Sequence, residues 1–139
     1  MSHKLTDEQT RRLVQIATSM AQAHGWEVVT EDKRLFPHVE PALATLKNGT
    51  LVVFAVKVFP RPGQFLRPEE LIHIRDDLAE FVDVNTPESD SRVSRIEKVA
   101  IVMTPEDVKA AAPIGDIVWI VVQDEDELPE ALDQVFLIS

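Results

Sequence analysis

Residues 42–59 read ALATLKNGTLVVFAVKVF, two β-rich runs on either side of Asn48-Gly49. Asn-Gly most readily supplies the two successive positive φ angles of a type I′ turn, whose twist matches that of the flanking strands. The stretch therefore reads as a β-hairpin. Its second run is almost wholly apolar, which suits a central strand covered on both faces. The two-residue period of a strand sets Val52, Phe54, Val56 and Val58 on one side. Leu51, Val53, Ala55, Lys57 and Phe59 share the other. Lys57 is the odd member, a cation near the end of an otherwise buried strand.

Upstream, the spacing of Leu13, Ile16, Ala17 and Met20 predicts an amphipathic helix over Asp7–His24. Thr6 and Gln9 have the spacing of a capping box at its start, and Gly25 is a left-handed stop at its end. Trp26–Thr30 reads as a short strand, and residues 31–41, EDKRLFPHVEP, as a polar loop. Downstream, residues 59–68 contain three prolines and a glycine and read as a loop. Pro68 then opens a helix, with Glu69 and Glu70 at its electropositive first turn. Leu71, Ile74, Leu78, Phe81 and Val82 form its buried stripe.

Ile96–Met103 reads as a strand. Thr104-Pro105-Glu106-Asp107 reads as the start of a short helix ending before Pro113. Asp116–Gln123 is a further apolar strand, and the acidic tail from Asp124 a final short helix. The resulting order, αβββαβαβα, describes one α/β domain over residues 1–139, a mixed sheet of about five strands flanked by helices.

The 139 residues suffice for one core without staples, and the absence of cysteine excludes disulfides and thiolate metal sites. The N-terminus lacks the apolar segment of a signal peptide, and no apolar run reaches membrane-spanning length. A soluble cytoplasmic protein is expected. The net charge of −10 opposes sequence-independent nucleic-acid binding, which requires clustered cations. The charge is uneven: residues 1–75 carry ten Lys/Arg against eight Asp/Glu, and residues 76–139 carry four against sixteen. Such asymmetry marks two different surfaces, the acidic one reading first as a solvated face.

His3, His24, His38 and His73 lack zinc-ligand spacing. No nucleophile elbow and no glycine-rich phosphate loop is present. Lys33, Arg34, Lys47, Arg61 and Arg67 could line the hairpin end as a mild basic rim. Phe59, Phe65 and Leu66 either fold back on the core or form a partner-binding patch.

The element order and the hairpin resemble the restriction-endonuclease-like nuclease superfamily, most closely archaeal Holliday-junction resolvases. The resemblance spans roughly residues 8–103. It is carried by Pro41-Ala42 through Leu46-Lys47-Asn48-Gly49, by Ala55-Val56-Lys57, and by Arg67-Pro68-Glu69-Glu70. It implies a three-layer sandwich in which an aspartate, a glutamate and a lysine on the hairpin hold Mg²⁺ and position water. Here the aspartate position is Ala42 and the glutamate position Ala55; Lys57 alone remains. Hard divalent cations need anionic oxygen ligands, so the resemblance implies a degenerate site with no metal, no cofactor and no catalytic residues.

The expected role is a catalytically inactive binding or assembly module with a protein partner, nucleic acid being a further partner through residues 33–67. Resolvase-type relatives act as dimers, which implies a homodimer. The alternative is a divergent Mg²⁺-dependent endonuclease using Glu40, Glu31 or Asp32 beside Lys57, with Glu8 of the first helix a further candidate acid. A second resemblance, carried by Val102-Met103-Thr104-Pro105, is to the jaw domain of the fifth subunit of eukaryotic RNA polymerases. It implies a scaffold of the same fold without chemistry.

Overall fold

A computed structural model describes residues 2–59, 68–85, 90–105 and 117–137, the side chains of residues 2–6 and 68 excepted. The helix α1 (Ser2–Ala23) leads into a short strand β1 (Glu27–Val28) and the hairpin β2 (Leu43–Lys47) and β3 (Thr50–Val58). Helix α2 (Pro68–Asn85) precedes β4 (Arg95–Met103). Strand β5 (Ile117–Val122), a 3-10 turn (Glu125–Glu127) and helix α3 (Leu128–Leu137) complete the chain. The helix expected after Thr104 lies outside the described residues.

The five strands form one sheet in sequence order. β1, β2 and β3 are an antiparallel meander, and β3, β4 and β5 run parallel. The hairpin turn is as the sequence requires, with φ of 50° at Asn48 and 83° at Gly49. Gly49 is also closely approached: a Cβ there would come within 2.5 Å of the Ser94 hydroxyl. Its carbonyl accepts the amides of Ser94 (2.7 Å) and Arg95 (3.1 Å), fastening the hairpin tip to the start of β4.

Two apolar layers enclose the sheet. Leu13, Ala17 and Ala21 of α1, with Leu128, Leu132 and Phe136 of α3, cover Val52, Phe54, Val58, Val99 and Ile101. On the other face, Ile74 and Leu78 of α2, with Leu35 and Phe36 of the β1–β2 loop, cover Leu51, Val53, Ala100 and Val102. β3 is therefore the central strand the hairpin pattern predicts, with its two faces assigned as alternation requires. No described helix is long and apolar enough to cross a membrane.

Gly25, at φ 83°, ends α1 as expected. The Trp26 amide reaches back to the Ala21 carbonyl at 2.9 Å, and the Gly25 amide to that of Gln22 at 3.1 Å, the doubled closure that a left-handed residue permits. The start of α1 is a correction: the helix begins at Ser2 rather than after Thr6. No proline or glycine lies between Ser2 and Thr6 to stop it, and a Ser/Thr-x-x-Gln spacing is equally compatible with a helix interior. β1 is likewise shorter than the Trp26–Thr30 run. Trp26 is buried against Phe136 and Thr30 accepts the Ala44 amide through its hydroxyl at 2.9 Å, so tertiary contacts replace ladder pairing at both ends.

Candidate functional site

The β2–β3 register pairs Leu43 with Phe54 as its last step. Ala42 precedes β2 and lies outside the ladder, at the same end of the hairpin as Ala55 of β3. Lys57 lies two residues along β3 and so on the same side of the strand as Ala55. The three positions singled out in the sequence thus come to one end of the hairpin. Ala42 is exposed and Ala55 half-buried. Lys57 is exposed, with its Nζ 6.0 Å from the centre of the Phe59 ring. The apolar stem follows the sheet while the ammonium faces water over an aromatic face, which accounts for a cation at the end of a buried strand.

The candidate acids go elsewhere. Glu40 pairs with Lys33 at 2.7 Å on the loop surface. Asp32 accepts the Arg34 amide at 2.9 Å and pairs with Arg92 at 3.1 Å, with the Arg34 side chain 3.5 Å away. Burial raises the Asp32 pKa, but the Arg34 amide and the Arg92 guanidinium outweigh it, and the net shift is downward. Glu31 is exposed and has no ion-pair partner among the described residues. Glu8 is exposed on α1. Among the described residues, no three His, Asp or Glu side chains cluster closely enough to hold a metal ion.

The expected basic rim is also dispersed. Lys33 and Arg34 are tied to Glu40 and Asp32. Lys47 turns inward to the end of α1, donating to the His24 carbonyl at 2.8 Å, with its Nζ 6.0 Å from the Trp26 ring centre. It satisfies a helix C-terminal carbonyl and complements the negative end of the macrodipole. Arg61, Phe65, Leu66 and Arg67 lie outside the described residues.

Three long-range devices escaped the sequence reading. Arg92 bridges Asp32 and Asp90, reaching Asp90 at 3.0 Å, so it ties the β1–β2 loop to the α2–β4 connection. The Arg92 side chain holds the Asp90 carboxyl at about 2, below the usual carboxylate value. The Asp90-x-Arg92 spacing, with the Asp90 carboxylate accepting the Arg92 amide at 2.9 Å, is the local signal that could have found it. Buried Asn85 accepts the amides of His38 and Val39 and donates to the carbonyls of Val39 and Phe81. His24, expected near the helix C-terminus, pairs with Asp133 of α3 at 2.9 Å and stacks on Phe136.

No family model, curated protein or solved structure matches this chain. The three positions present one exposed amine and two methyl groups, none of them an anionic oxygen of the kind a divalent cation needs.

Proposed function

We propose that this chain is a nuclease-fold protein without nuclease chemistry, working as a binding or assembly module. One observation carries the reading: Ala42 lies just before β2, and Ala55 and Lys57 lie on β3, at the hairpin end away from the turn, where the resemblance expects Asp, Glu and Lys. The meander followed by parallel strands, in sequence order across the sheet, supports it too. A relocated-acid nuclease is disfavoured because Asp32 and Glu40 are each engaged by cations. With a net charge of −10, the favoured partner is a protein rather than nucleic acid.

Restoring the carboxylates tests the family reading. Ala42→Asp combined with Ala55→Glu is expected to create one saturable Mn²⁺ site per chain. A folded double variant that gains no such site removes the likeness to the nuclease hairpin. Cleavage assays of the natural chain on four-way junction, duplex and single-stranded DNA with Mg²⁺ or Mn²⁺ test the loss of chemistry. Activity abolished by Lys57→Ala overturns the proposal.

A further inference from the structure

A cavity of about 310 Å³ opens between α1 and the outer strands of the sheet, beside the exposed Ala42. Its size falls at the lower end of small-molecule sites. Val14 of α1, Val28 of β1 and Leu43 of β2 give it apolar walls, and Thr18, Thr30 and Glu31 contribute polar groups. We propose that this cavity binds an organic cation, an ammonium or guanidinium group on an apolar stem.

The hydrogen-bonding inventory selects that class. The Thr18 hydroxyl donates to the Val14 carbonyl at 2.7 Å, so its proton is used and its lone pairs remain as acceptors. The Thr30 oxygen accepts the Ala44 amide at 2.9 Å, which leaves it one proton to give. Glu31 offers carboxylate oxygens and has no ion-pair partner among the described residues. Among the side chains that line the cavity, acceptors therefore outnumber donors, and one of them is charged. An anionic ligand would meet repulsion from Glu31, and a neutral one would gain nothing from its charge. A bare divalent cation is equally unsuited, because one carboxylate supplies too few hard oxygen ligands. The apolar walls instead fit a hydrocarbon stem, and the net charge of −10 attracts cations at long range.

The cavity stands on its own geometry; only the assignment of its occupant to a protein partner, as a Lys or Arg side chain, rests on the binding-module reading. The test is an amide chemical-shift titration of the isotope-labelled chain with n-butylguanidinium, with 1-pentanol as the uncharged control. Saturable shifts at Val14, Thr18, Val28, Thr30 and Glu31, absent with 1-pentanol, are expected. Glu31→Gln is expected to weaken binding about tenfold, the loss of one charge-assisted bond. Ala42→Leu, which narrows the opening at an exposed position, is expected to abolish it, both variants retaining the wild-type amide spectrum elsewhere.

A parallel titration with N-acetyl-arginine-amide separates the sources. Tighter binding than n-butylguanidinium assigns the site to a partner's arginine, and equal or weaker binding assigns it to a free amine. Shifts that fail to saturate, that centre on residues 124–127, or that keep their affinity in Glu31→Gln overturn the proposal. The metal-restoration experiment leaves this outcome untouched, so the failure of either idea is distinguishable from the failure of the other.

Discussion

Asn85 joins helix α2 to the β1–β2 loop through four side-chain hydrogen bonds. It sits at the end of α2, 4% exposed. Its Oδ1 accepts the backbone amides of His38 at 3.0 Å and Val39 at 3.2 Å. Its Nδ2 donates to the carbonyls of Val39 at 2.9 Å and Phe81 at 2.8 Å. Those bonds fix the loop that carries Lys33, Glu40 and the entry to β2. A net contribution of about 0.5–1.5 kcal/mol per bond gives roughly 2–6 kcal/mol for four. Water reaching the exposed His38–Glu40 segment satisfies part of the loss, so about 2–4 kcal/mol is expected for Asn85→Ala. With a urea m-value on the order of 2 kcal/mol/M, the unfolding midpoint falls by about 1–2 M. Hydrogen exchange at His38 and Val39 rises in step. Asn85→Asp keeps the acceptor but cannot donate to the two carbonyls, so it is expected to destabilise as well while preserving more of the His38 and Val39 protection. A change below about 0.5 kcal/mol in Asn85→Ala, with both amides still protected, refutes the clamp.

Other consequences follow from the same kind of accounting. The Thr45 hydroxyl is fully buried between β1 and β3 with no hydrogen-bond partner among the described residues, so Thr45→Val removes an unsatisfied polar group at constant shape. It is expected to stabilise the chain by about 1 kcal/mol, read as a higher melting temperature; a destabilised variant contradicts this. Asp90 is depressed to about 2 by Arg92, and Asp32 is lowered too. Depressed carboxylates add stability above their unfolded value near 3.8, and that stability drains as pH falls toward 2. The stability gap between wild type and Arg92→Met is therefore expected to be constant above about pH 5 and to close toward pH 2, with the Asp90 carboxyl titrating higher in the variant than in the wild type by NMR, the backbone amide of residue 92 still holding part of the depression. Lys47→Met removes the cation from the His24 carbonyl and the Trp26 face. A loss of about 1–2 kcal/mol with altered indole fluorescence is expected in chemical unfolding, and an unchanged midpoint excludes the capping role.

The hairpin and the two faces of β3 were legible because their determinants are local: an Asn-Gly turn, a two-residue period and an apolar run long enough for one strand. The same locality explains what was missed. Asp32 and Arg92 are sixty residues apart in sequence, and nothing around either announces the other. Asn85 looks like an ordinary helix terminus until the loop at His38 is folded against it. Lys47 read as part of a cationic rim because sequence shows its charge but not that the chain reverses at Gly25 and leaves a carbonyl within its reach. At the candidate site, the missing acids were legible as residue identities. The cavity beside Ala42 was not, since it forms between α1 and the strand edge from residues spread over thirty positions.

Mn²⁺ titration of the natural chain, followed by residue-specific paramagnetic broadening, tests whether the hairpin end can hold a divalent cation. The expected result is weak, unsaturable broadening spread over the acidic surface of residues 124–127, with the amides of Ala42, Ala55 and Lys57 unaffected at equal Mn²⁺. Stoichiometric binding that broadens those three amides first would contradict the account.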